Sequence, residues 1–255
     1  MIAVDVNADL GEGEATDARM FTLVSSANIA CGGHAGDEAS MQLCLRLAKQ
    51  HGVAAGAHPG FVDRQNKGRR TMTATPLEVH RLVSDQVRAL ATLASREGVR
   101  LGHVKAHGAL YNQAAQDPAL ARALAEAVVA IDPAMRLFGL PGSCMQTQAK
   151  AVGLQFVGEA FVDRAYDDQG HLVPRQEPGA VLTDPPHRLA ARAVRLATGL
   201  PVPSLNGAPV VVAASTLCVH GDTPAAVAVA AAVREALRAH AIAVRAPNSA
   251  KPCQP

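Results

Sequence analysis

The sequence predicts an α/β fold in which a largely parallel sheet closes into a barrel. Strand-like apolar runs and helix-like segments alternate about seven times along the chain, which is typical of a parallel sheet. Four histidines, His34, His58, His107 and His220, lie beside a glycine or one residue from it at predicted strand ends. Polar residues at the carboxyl ends of strands favour a barrel, because barrel enzymes bind ligands at that face. A doubly wound open sheet is the structural alternative.

The predicted strands are short apolar runs that end in glycine or polar residues. In chain order they cover 2–6, 24–31, 53–58, 103–107, 136–140 and 154–161. The segment 209–214 leads into a last major strand that ends at 220–222, and 242–245 is a short terminal strand. His58 and His107 are 49 residues apart, more than the ~30 residues of one β/α unit. Either an unmarked unit lies between them or one unit is longer.

The predicted helices follow from apolar periodicity and from start and stop signals. They cover 38–51, 76–96, 118–130, 143–152, 187–198 and 224–239. Asp37 is suited to cap the first, and Thr75 with Glu78 forms a capping box for the second. The segment 167–180 is polar and rich in Gly and Pro. A loop of this length is commonly a lid or a binding element, and a solvent-exposed hairpin is the alternative.

The composition describes a chain with a large apolar core and little net charge. Among its 255 residues 49% are hydrophobic and only 3% are aromatic, so Ala, Val and Leu must fill the core. Lys and Arg number 24 against 22 Asp and Glu, a net charge of +2. This balance gives no reason to expect nucleic acid or an anionic membrane as a partner. We expect one domain over 1–246 and a flexible tail over 247–255.

Cysteine usage and the N-terminal segment predict a cytoplasmic location. The five cysteines are odd in number and include no Cys-x-x-Cys pair, which argues against a disulfide framework or a structural zinc site. The first ten residues lack the basic start of a secretory signal. No apolar run approaches the roughly 20 residues of a membrane span. We therefore expect reduced thiols and no membrane association.

Charged and imidazole side chains gather at the predicted strand ends. The residues expected on this rim are Asp9, His34, His58, Lys105, His107, Glu159, Asp163, Arg164, His220 and Asp222. A carboxylate with two or three histidines suits a divalent ion that activates water, and Asp9, His34 and His58 are the candidate ligands. Without a metal, a carboxylate or a histidine would act as general base, while Lys105 or Arg164 stabilises an oxyanion.

Two further features bear on ligand binding. Arg69 and Arg70 could clamp a carboxylate or a phosphate, because guanidinium forks match both anions; a solvated loop is the ordinary alternative. Asn7 follows the first predicted strand, where it serves either a turn or a binding site. The sequence contains neither G-x-x-x-x-G-K-[ST] nor a strand-associated G-x-G-x-x-G. Standard nucleotide-binding loops are therefore absent from the sequence.

Several motifs, in the same order along the chain, resemble the LamB/YcsF family. They are NADLGEG, SSANIACGGHAGD, GAHPG, GRR, HVKAHGALYN, FVDRAY, LVPR and CVHGD. The resemblance implies a (β/α)7-type barrel related to polysaccharide deacetylases and glycoside hydrolases. It also implies ATP-dependent opening of 5-oxo-L-proline to L-glutamate, with Mg²⁺ accompanying the ATP. Two partner subunits, B and C, are implied as well.

The resemblance further implies which side chains share the family's polar pocket. They are Asn7, Asp9, Glu12, Asn28, His34, His58, Lys105, His107, Asp163, Arg164, His220 and Asp222. The sequence departs from the usual family pattern at Gly33, Glu38, Lys67 and Ala106. Each of these positions lies beside a motif residue rather than on it.

The implied reaction explains a need for ATP. A five-membered lactam has a poorly electrophilic carbonyl, and phosphorylation of its oxygen creates a leaving group and a more reactive carbon. We hypothesise that Asp9 or a histidine, such as His58 or His107, activates water, while Lys105 and Arg164 hold the anionic oxygen or the substrate carboxylate. The other candidates for substrate binding are Asn7, Asn28, Arg69, Arg70 and Asp163, with Glu12, Glu159, His220 and Asp222 elsewhere in the pocket.

Two other functions stay open at this point. The first is a stand-alone metal-dependent hydrolase or deacetylase, which bound zinc and ATP-independent hydrolysis would favour. The second is a non-catalytic scaffold that presents a ligand to partner subunits, which neutral substitutions on the rim would favour. The sequence also leaves open whether copies of the chain form a homo-oligomer.

Overall fold

A computed structural model describes residues 2–223 and 225–247 of the chain. In chain order the strands are β1 (Ala3–Leu10), β2 (Ser26–Ala30), β3 (Ala54–His58), β4 (Leu101–Lys105), β5 (Arg136–Gly139), β6 (Gln155–Phe161), β7 (Val202–Pro203), β8 (Pro209–Val210), β9 (Thr216–Cys218) and β10 (Ala243–Val244). The helices are α1 (Asp17–Met20), α2 (Glu38–His51), α3 (Pro76–Glu97), α4 (Gly108–Gln116), α5 (Pro118–Val129), α6 (Cys144–Ala151), α7 (Pro186–Ala197) and α8 (Ala226–Ala239).

Seven of these strands form a closed parallel barrel. β1 to β6 pair in sequence order, and β9 pairs with both β6 and β1. β10 pairs with the first residues of β1, while β7 and β8 form a separate antiparallel pair. The closing contacts of β9 confirm the predicted barrel. They exclude the open doubly wound sheet, which would leave β6 at an edge.

The two faces of the barrel strands differ in chemistry. The even-numbered residues of β1 from Val4 onward belong to the hydrophobic core, whereas Asp5, Asn7 and Asp9 hydrogen-bond with side chains of other strands. Successive side chains of a strand point to opposite faces. The apolar core therefore lies between the sheet and the helices, and the inside of the barrel is polar.

β1 is longer than the sequence predicted. The predicted strand stopped at residue 6, because Asn and Asp are common in turns. The structure continues the strand through Leu10, because Asn7 and Asp9 find hydrogen-bond partners inside the barrel. The predicted end of the strand at residue 6 was therefore wrong.

The chain after β4 also differs from the prediction. The predicted strand 103–107 is displaced, since β4 ends at Lys105. His107 is instead the N-cap residue of α4, a helix that the sequence analysis missed. His107 therefore reaches the barrel mouth from a turn rather than from the strand that carries Lys105.

The long spacing between His58 and His107 reflects one extended unit. The fully described stretch between β3 and β4 contains no further strand; it holds a loop over 59–75 and α3, a helix of 22 residues. The segment 209–214 does not lead directly into the barrel, because its β8 residues pair with β7. The last barrel strand is only Thr216–Cys218.

The local start and stop signals act as the sequence predicted. Asp37 accepts a hydrogen bond from the Ser40 backbone at the start of α2. Thr75 and Glu78 form the capping box of α3, and Gly98 ends that helix with a left-handed backbone at φ +65°. These contacts satisfy backbone groups that the helix itself leaves unpaired.

The segment 167–180 is irregular, as predicted. Two isolated bridges, Arg164 to Val181 and Tyr166 to Leu172, hold its ends. The predicted tail, 247–255, lies outside the described residues except for Pro247. Within the described ranges, no helix combines the length and apolar character needed to cross a membrane.

Candidate active site

The carboxyl ends of the barrel strands open into a deep cavity with a volume of about 660 Å³. Its walls come from the loops after β1, β3, β4, β5, β6 and β9. Of the predicted site residues, the wall contains Asp9, Glu12, His58, Arg69, Lys105, His107, Arg164, His220 and Asp222. This is the face at which β/α barrels bind their ligands.

Lys105 lies at the floor of the cavity among acidic side chains. Its Nζ is 2.9 Å from Asp9 Oδ1 and 2.8 Å from Glu159 Oε1. Burial alone would lower the pKa of Lys105, but the negative charges around it outweigh burial and raise the pKa well above its usual value. Lys105 therefore holds a permanent positive charge at the floor of the cavity.

Asp9 is fixed by three neighbours. Its Oδ1 accepts hydrogen bonds from Lys105 Nζ and from Asn28 Nδ2 at 2.8 Å, and its Oδ2 is 3.3 Å from His58 Nε2. Burial would raise the pKa of Asp9, yet His58 and Lys105 lower it well below its usual range. A carboxylate of such low pKa accepts a proton poorly, which weakens the hypothesis that Asp9 is the general base.

A network of buried polar side chains supports this floor. His103 Nε2 donates to Asn28 Oδ1 at 2.8 Å, Asn28 Nδ2 donates to Asn7 Oδ1 at 2.7 Å, and Asn7 Nδ2 donates to Glu159 Oε1 at 3.0 Å. Asn7, Asn28 and Glu159 are fully buried and lie beneath the cavity wall. They hold the residues that line the cavity.

His103 was not among the predicted site residues, although its two-residue spacing from Lys105 places both on one strand face.

Three histidines and Glu12 form a compact group at one side of the cavity, here called the histidine cluster: Glu12, His34, His58 and His107. The rings of His34 and His107 stack with their centroids 3.6 Å apart, and His58 lies perpendicular to both. His34 Nε2 is 2.9 Å from Glu12 Oε1. Burial lowers the pKa of His34 to about 4 and also lowers the pKa of His107, so the neutral imidazoles are favoured.

The loops that carry the histidine cluster pack without room for extra side chains. A Cβ at Gly68 would lie 2.6 Å from His34 Cβ, and a Cβ at Gly33 would lie 2.6 Å from Gln86 Nε2. Gln86 donates to the Gly60 carbonyl at 2.7 Å and accepts from the Gly60 amide at 3.0 Å. At Gly33, one of the departures from the family pattern, Gln86 occupies the volume that a side chain would need.

His220 lines the cavity and is oriented by Asp163. Its Nδ1 donates to Asp163 Oδ1 at 2.7 Å, and its backbone amide donates to Asp163 Oδ2 at 3.0 Å. Burial would raise the pKa of Asp163, but the contact with His220 lowers it. Because Nδ1 carries the proton, Nε2 of neutral His220 is an acceptor, and it makes no hydrogen bond with the described residues. Asp163 therefore positions His220 and lies outside the cavity wall.

Two arginines converge on Asp222 at the mouth of the cavity. Asp222 Oδ2 accepts from Arg69 at 2.6 Å and from Arg175 at 2.8 Å. Arg70 is exposed and lies outside the cavity wall. The predicted Arg69–Arg70 clamp is therefore not formed, because the side chains of neighbouring residues diverge here. Arg175, the last residue of the LVPR motif, stands beside Arg69 instead, and no role was predicted for it.

Arg164 fastens the loop 167–180 to the barrel. Its guanidinium donates to the carbonyl oxygens of Val173 at 2.7 Å and Ala180 at 3.2 Å. Burial lowers the pKa of Arg164, although an arginine stays charged at neutral pH. The side chain thus forms part of the wall while it holds the backbone of the loop.

The family model of the LamB/YcsF family matches residues 4–252. The chain belongs to the LamB/YcsF family. It is 48% identical over 248 residues to a Thermus thermophilus protein named as the A subunit of 5-oxoprolinase, covering 95% of this chain and 99% of that relative. A solved structure of a lactam utilization protein from the same organism is 47% identical, with a TM-score of 0.89, and covers 96% of this chain and 100% of the other.

A more distant likeness concerns the fold alone. A family 4 carbohydrate esterase from Streptomyces lividans, solved in complex with acetate, is 11% identical with a TM-score of 0.50. The match covers 95% of this chain and 91% of that one. It shows that the two chains share a barrel fold.

Proposed function

We propose that this chain is the A subunit of an ATP-dependent 5-oxoprolinase, which opens 5-oxo-L-proline to L-glutamate together with subunits B and C. The observation that carries the proposal is the 48% identity, over nearly the full length of both chains, to a protein named as the A subunit of 5-oxoprolinase. A polar cavity at the ligand-binding face of the barrel supports it.

The carboxylate of the substrate fits the arginine pair at the cavity mouth. Arg69 and Arg175 both donate to one oxygen of Asp222. Two guanidinium groups therefore face a single carboxylate. Guanidinium groups bind carboxylates through paired hydrogen bonds. We assign the substrate carboxylate to this pair, which places the lactam ring deeper in the cavity, towards Lys105 and His220.

The lactam carbonyl is the group on which the charged floor would act. Phosphorylation of the lactam oxygen by ATP makes the ring carbon more electrophilic, and water must then lose a proton as it attacks that carbon. His220, held by Asp163 with Nε2 available, is the general base of this proposal. Lys105 stabilises the negative charge that develops on the oxygen. The ring C–N bond then breaks as protonated His220 returns its proton to the departing nitrogen, which leaves an acyl phosphate. A second water attacks the carbonyl carbon of this acyl phosphate and releases phosphate and L-glutamate.

ATP and its Mg²⁺ are assigned to the assembly with B and C. The sequence of this chain lacks both standard phosphate-binding loops, whereas the reaction needs a phosphoryl donor beside the lactam oxygen. The cavity mouth is then the place where the partner subunits complete the site.

The first experiment measures ATP hydrolysis that depends on 5-oxoproline, with detection of glutamate, for this chain alone and with candidate B and C subunits. Glutamate formed only in the mixture is the expected result. Absence of glutamate from a mixture of folded subunits would contradict the proposal.

Substitutions in the cavity test the assigned roles in that assay. Arg175→Ala is expected to raise KM for 5-oxoproline more than it lowers kcat, because it removes a binding contact. His220→Gln is expected to lower kcat by about 10²-fold or more. Exposed Arg70→Ala is the matched control and should leave both constants unchanged. Neutral effects of both cavity variants would favour the scaffold alternative.

A metal-dependent hydrolase without ATP is the second candidate, and the histidine cluster is the observation that favours it. Hydrolysis of an amide or of an acetylated sugar by the isolated chain, without ATP, would support this activity. Its absence, together with glutamate formation in the three-subunit mixture, would exclude it.

A further inference from the structure

The histidine cluster combines two ring nitrogens whose protonation the backbone fixes. His58 Nδ1 is 2.7 Å from the Lys105 carbonyl oxygen, and His107 Nε2 is 2.8 Å from the Lys67 carbonyl oxygen. A carbonyl oxygen only accepts, so each of these nitrogens must carry the proton. The opposite nitrogens, His58 Nε2 and His107 Nδ1, are then unprotonated in the neutral rings.

These two unprotonated nitrogens face each other and two carboxylates. His107 Nδ1 is 2.9 Å from His58 Nε2 and 3.2 Å from Glu12 Oε1. His58 Nε2 is 3.8 Å from Glu12 Oε1 and 3.3 Å from Asp9 Oδ2. Three of these atoms, His58 Nε2, His107 Nδ1 and Glu12 Oε1, lie 2.9–3.8 Å from one another. Acceptors at such distances repel unless a proton or a metal ion lies among them.

We infer that Glu12, His58 and His107 bind a divalent transition-metal ion, with Asp9 beside it. Ligand atoms about 2.0–2.2 Å from a metal in tetrahedral arrangement are separated by roughly 3.3 Å, close to the distances within this group. Two imidazoles and a carboxylate suit Zn²⁺, Fe²⁺ or Co²⁺, whereas Mg²⁺ prefers oxygen ligands. The site is therefore distinct from the Mg²⁺ expected with ATP, and it does not depend on the proposed function.

The ligand set differs from the one that the sequence predicted. Asp9, His34 and His58 were the candidates, but His34 Nε2 contacts Glu12 Oε1 at 2.9 Å. A protonated Nε2 there donates to the carboxylate and orients it, which is the usual role of a group behind a metal ligand. His34 Nδ1 is buried and has no hydrogen-bond partner within the described part of the chain. His34 is thus a positioning residue for Glu12.

The test measures metal binding by the isolated full-length chain, without substrate or partners. The chain is stripped with a chelator, dialysed, and titrated with Zn²⁺ by calorimetry and with Co²⁺ by visible absorption. One tightly bound ion per chain and the absorption bands of low-coordinate Co²⁺ are expected. Excess Mg²⁺ should not displace the bound Zn²⁺ or Co²⁺.

Variants locate the ion. His107→Gln and His58→Gln are each expected to abolish saturable binding, and His34→Gln to weaken it about 10–100-fold. His240→Gln is the control, because His240 is exposed just after α8 and its Nδ1 hydrogen-bonds to the Ala236 carbonyl, away from the histidine cluster. Circular dichroism checks that each variant is folded, and Glu12→Gln replaces any that is not.

Two results would overturn the inference. The first is a stripped wild-type chain that binds neither ion saturably, which would mean that a shared proton stabilises the cluster. The second is binding that survives in folded His107→Gln and Glu12→Gln, which would place the ion elsewhere. Neither result affects the test of the proposed function, which measures glutamate.

Discussion

At the scale of single residues, Lys105 is the side chain on which the cavity floor depends. It is 2% exposed and contacts two carboxylates, Asp9 and Glu159, that are themselves largely buried. Removing one member of a buried ion pair leaves an uncompensated charge, which costs far more than the pair contributes. The same group therefore serves stability and, in our proposal, the developing oxyanion.

Lys105→Met is expected to lower the free energy of unfolding by about 3–5 kcal/mol and to reduce turnover at least ~10²-fold. Denaturant unfolding and the glutamate assay measure the two effects. Adding Glu159→Gln should recover part of the stability without recovering turnover, since it removes one unpaired charge. A single Lys105→Met variant as stable as the wild type would contradict the geometry of the floor.

His103 predicts a pH dependence of stability. Burial lowers the pKa of His103 from 6.5 to about 3, so between these values the unfolded chain binds a proton that the folded chain does not. Its contribution to stability is therefore present above pH ~6.5 and is lost as the pH falls, by at most ~1.4 kcal/mol per unit. Asp5 acts in the opposite sense, because burial raises its pKa to about 6.

Comparison with His103→Gln isolates this contribution, since Asp5 is common to both proteins. The free energy of unfolding, measured by denaturant titration from pH 7 to pH 4, should fall more steeply for the wild type. Parallel curves for the two proteins would show that His103 does not stay neutral in the folded state.

At the scale of elements, β3 and β4 pack closely because β3 has a glycine, Gly56, where the His103 side chain of β4 lies against it. A Cβ at Gly56 in β3 would lie 2.2 Å from His103 Nε2 in β4. His103 also stacks on Phe138 in β5, with ring centroids 4.1 Å apart. The imidazole therefore fills the space inside the barrel that a side chain on β3 would need.

Gly56→Ala is expected to destabilise the protein by about 1–3 kcal/mol through overpacking. Gly102→Ala on β4 is the matched control, because its Cβ would meet only the Ala55 carbonyl oxygen at 3.9 Å. Thermal unfolding of both variants measures the difference. Equal midpoints for the two would refute the close approach of β3 to His103.

At the scale of the whole molecule, β9 joins the two ends of the barrel. It pairs with β6 on one side and with β1, at the start of the chain, on the other. A barrel that loses one strand exposes two unpaired edges, which favour aggregation. The barrel is thus expected to unfold as one unit.

A chain that ends at residue 199 lacks β9 and α8 and is expected to show no cooperative thermal transition and to elute as aggregate. A chain that ends at residue 247 keeps every described element and should unfold cooperatively. Circular dichroism melts and size-exclusion chromatography distinguish them. A cooperative transition in the shorter chain would show that β6 and β1 do not need β9.

Sequence reasoning found the signals that act over a few residues. Asp37, Thr75 and Gly98 were assigned correctly because caps involve contacts within about four residues. Prediction from the sequence failed where a polar residue could belong either to a turn or to a strand. Asn7 is typical of a turn when its neighbours alone are considered, and only its hydrogen-bond partners on β2, β6 and β9 make it a strand residue.

The sequence by itself determined the family, the barrel class and the strand ends at which the polar motifs gather. Tertiary structure alone decided the partners: Arg69 and Asp222 meet across 153 residues, and Lys105 and Cys218 across 113. Strand register and the path of the loops determine which distant residues meet, and neither can be predicted from the residues next to each position. For that reason Arg175 took the place expected for Arg70, and Glu12 and His107 joined His58 in the group that we infer binds metal.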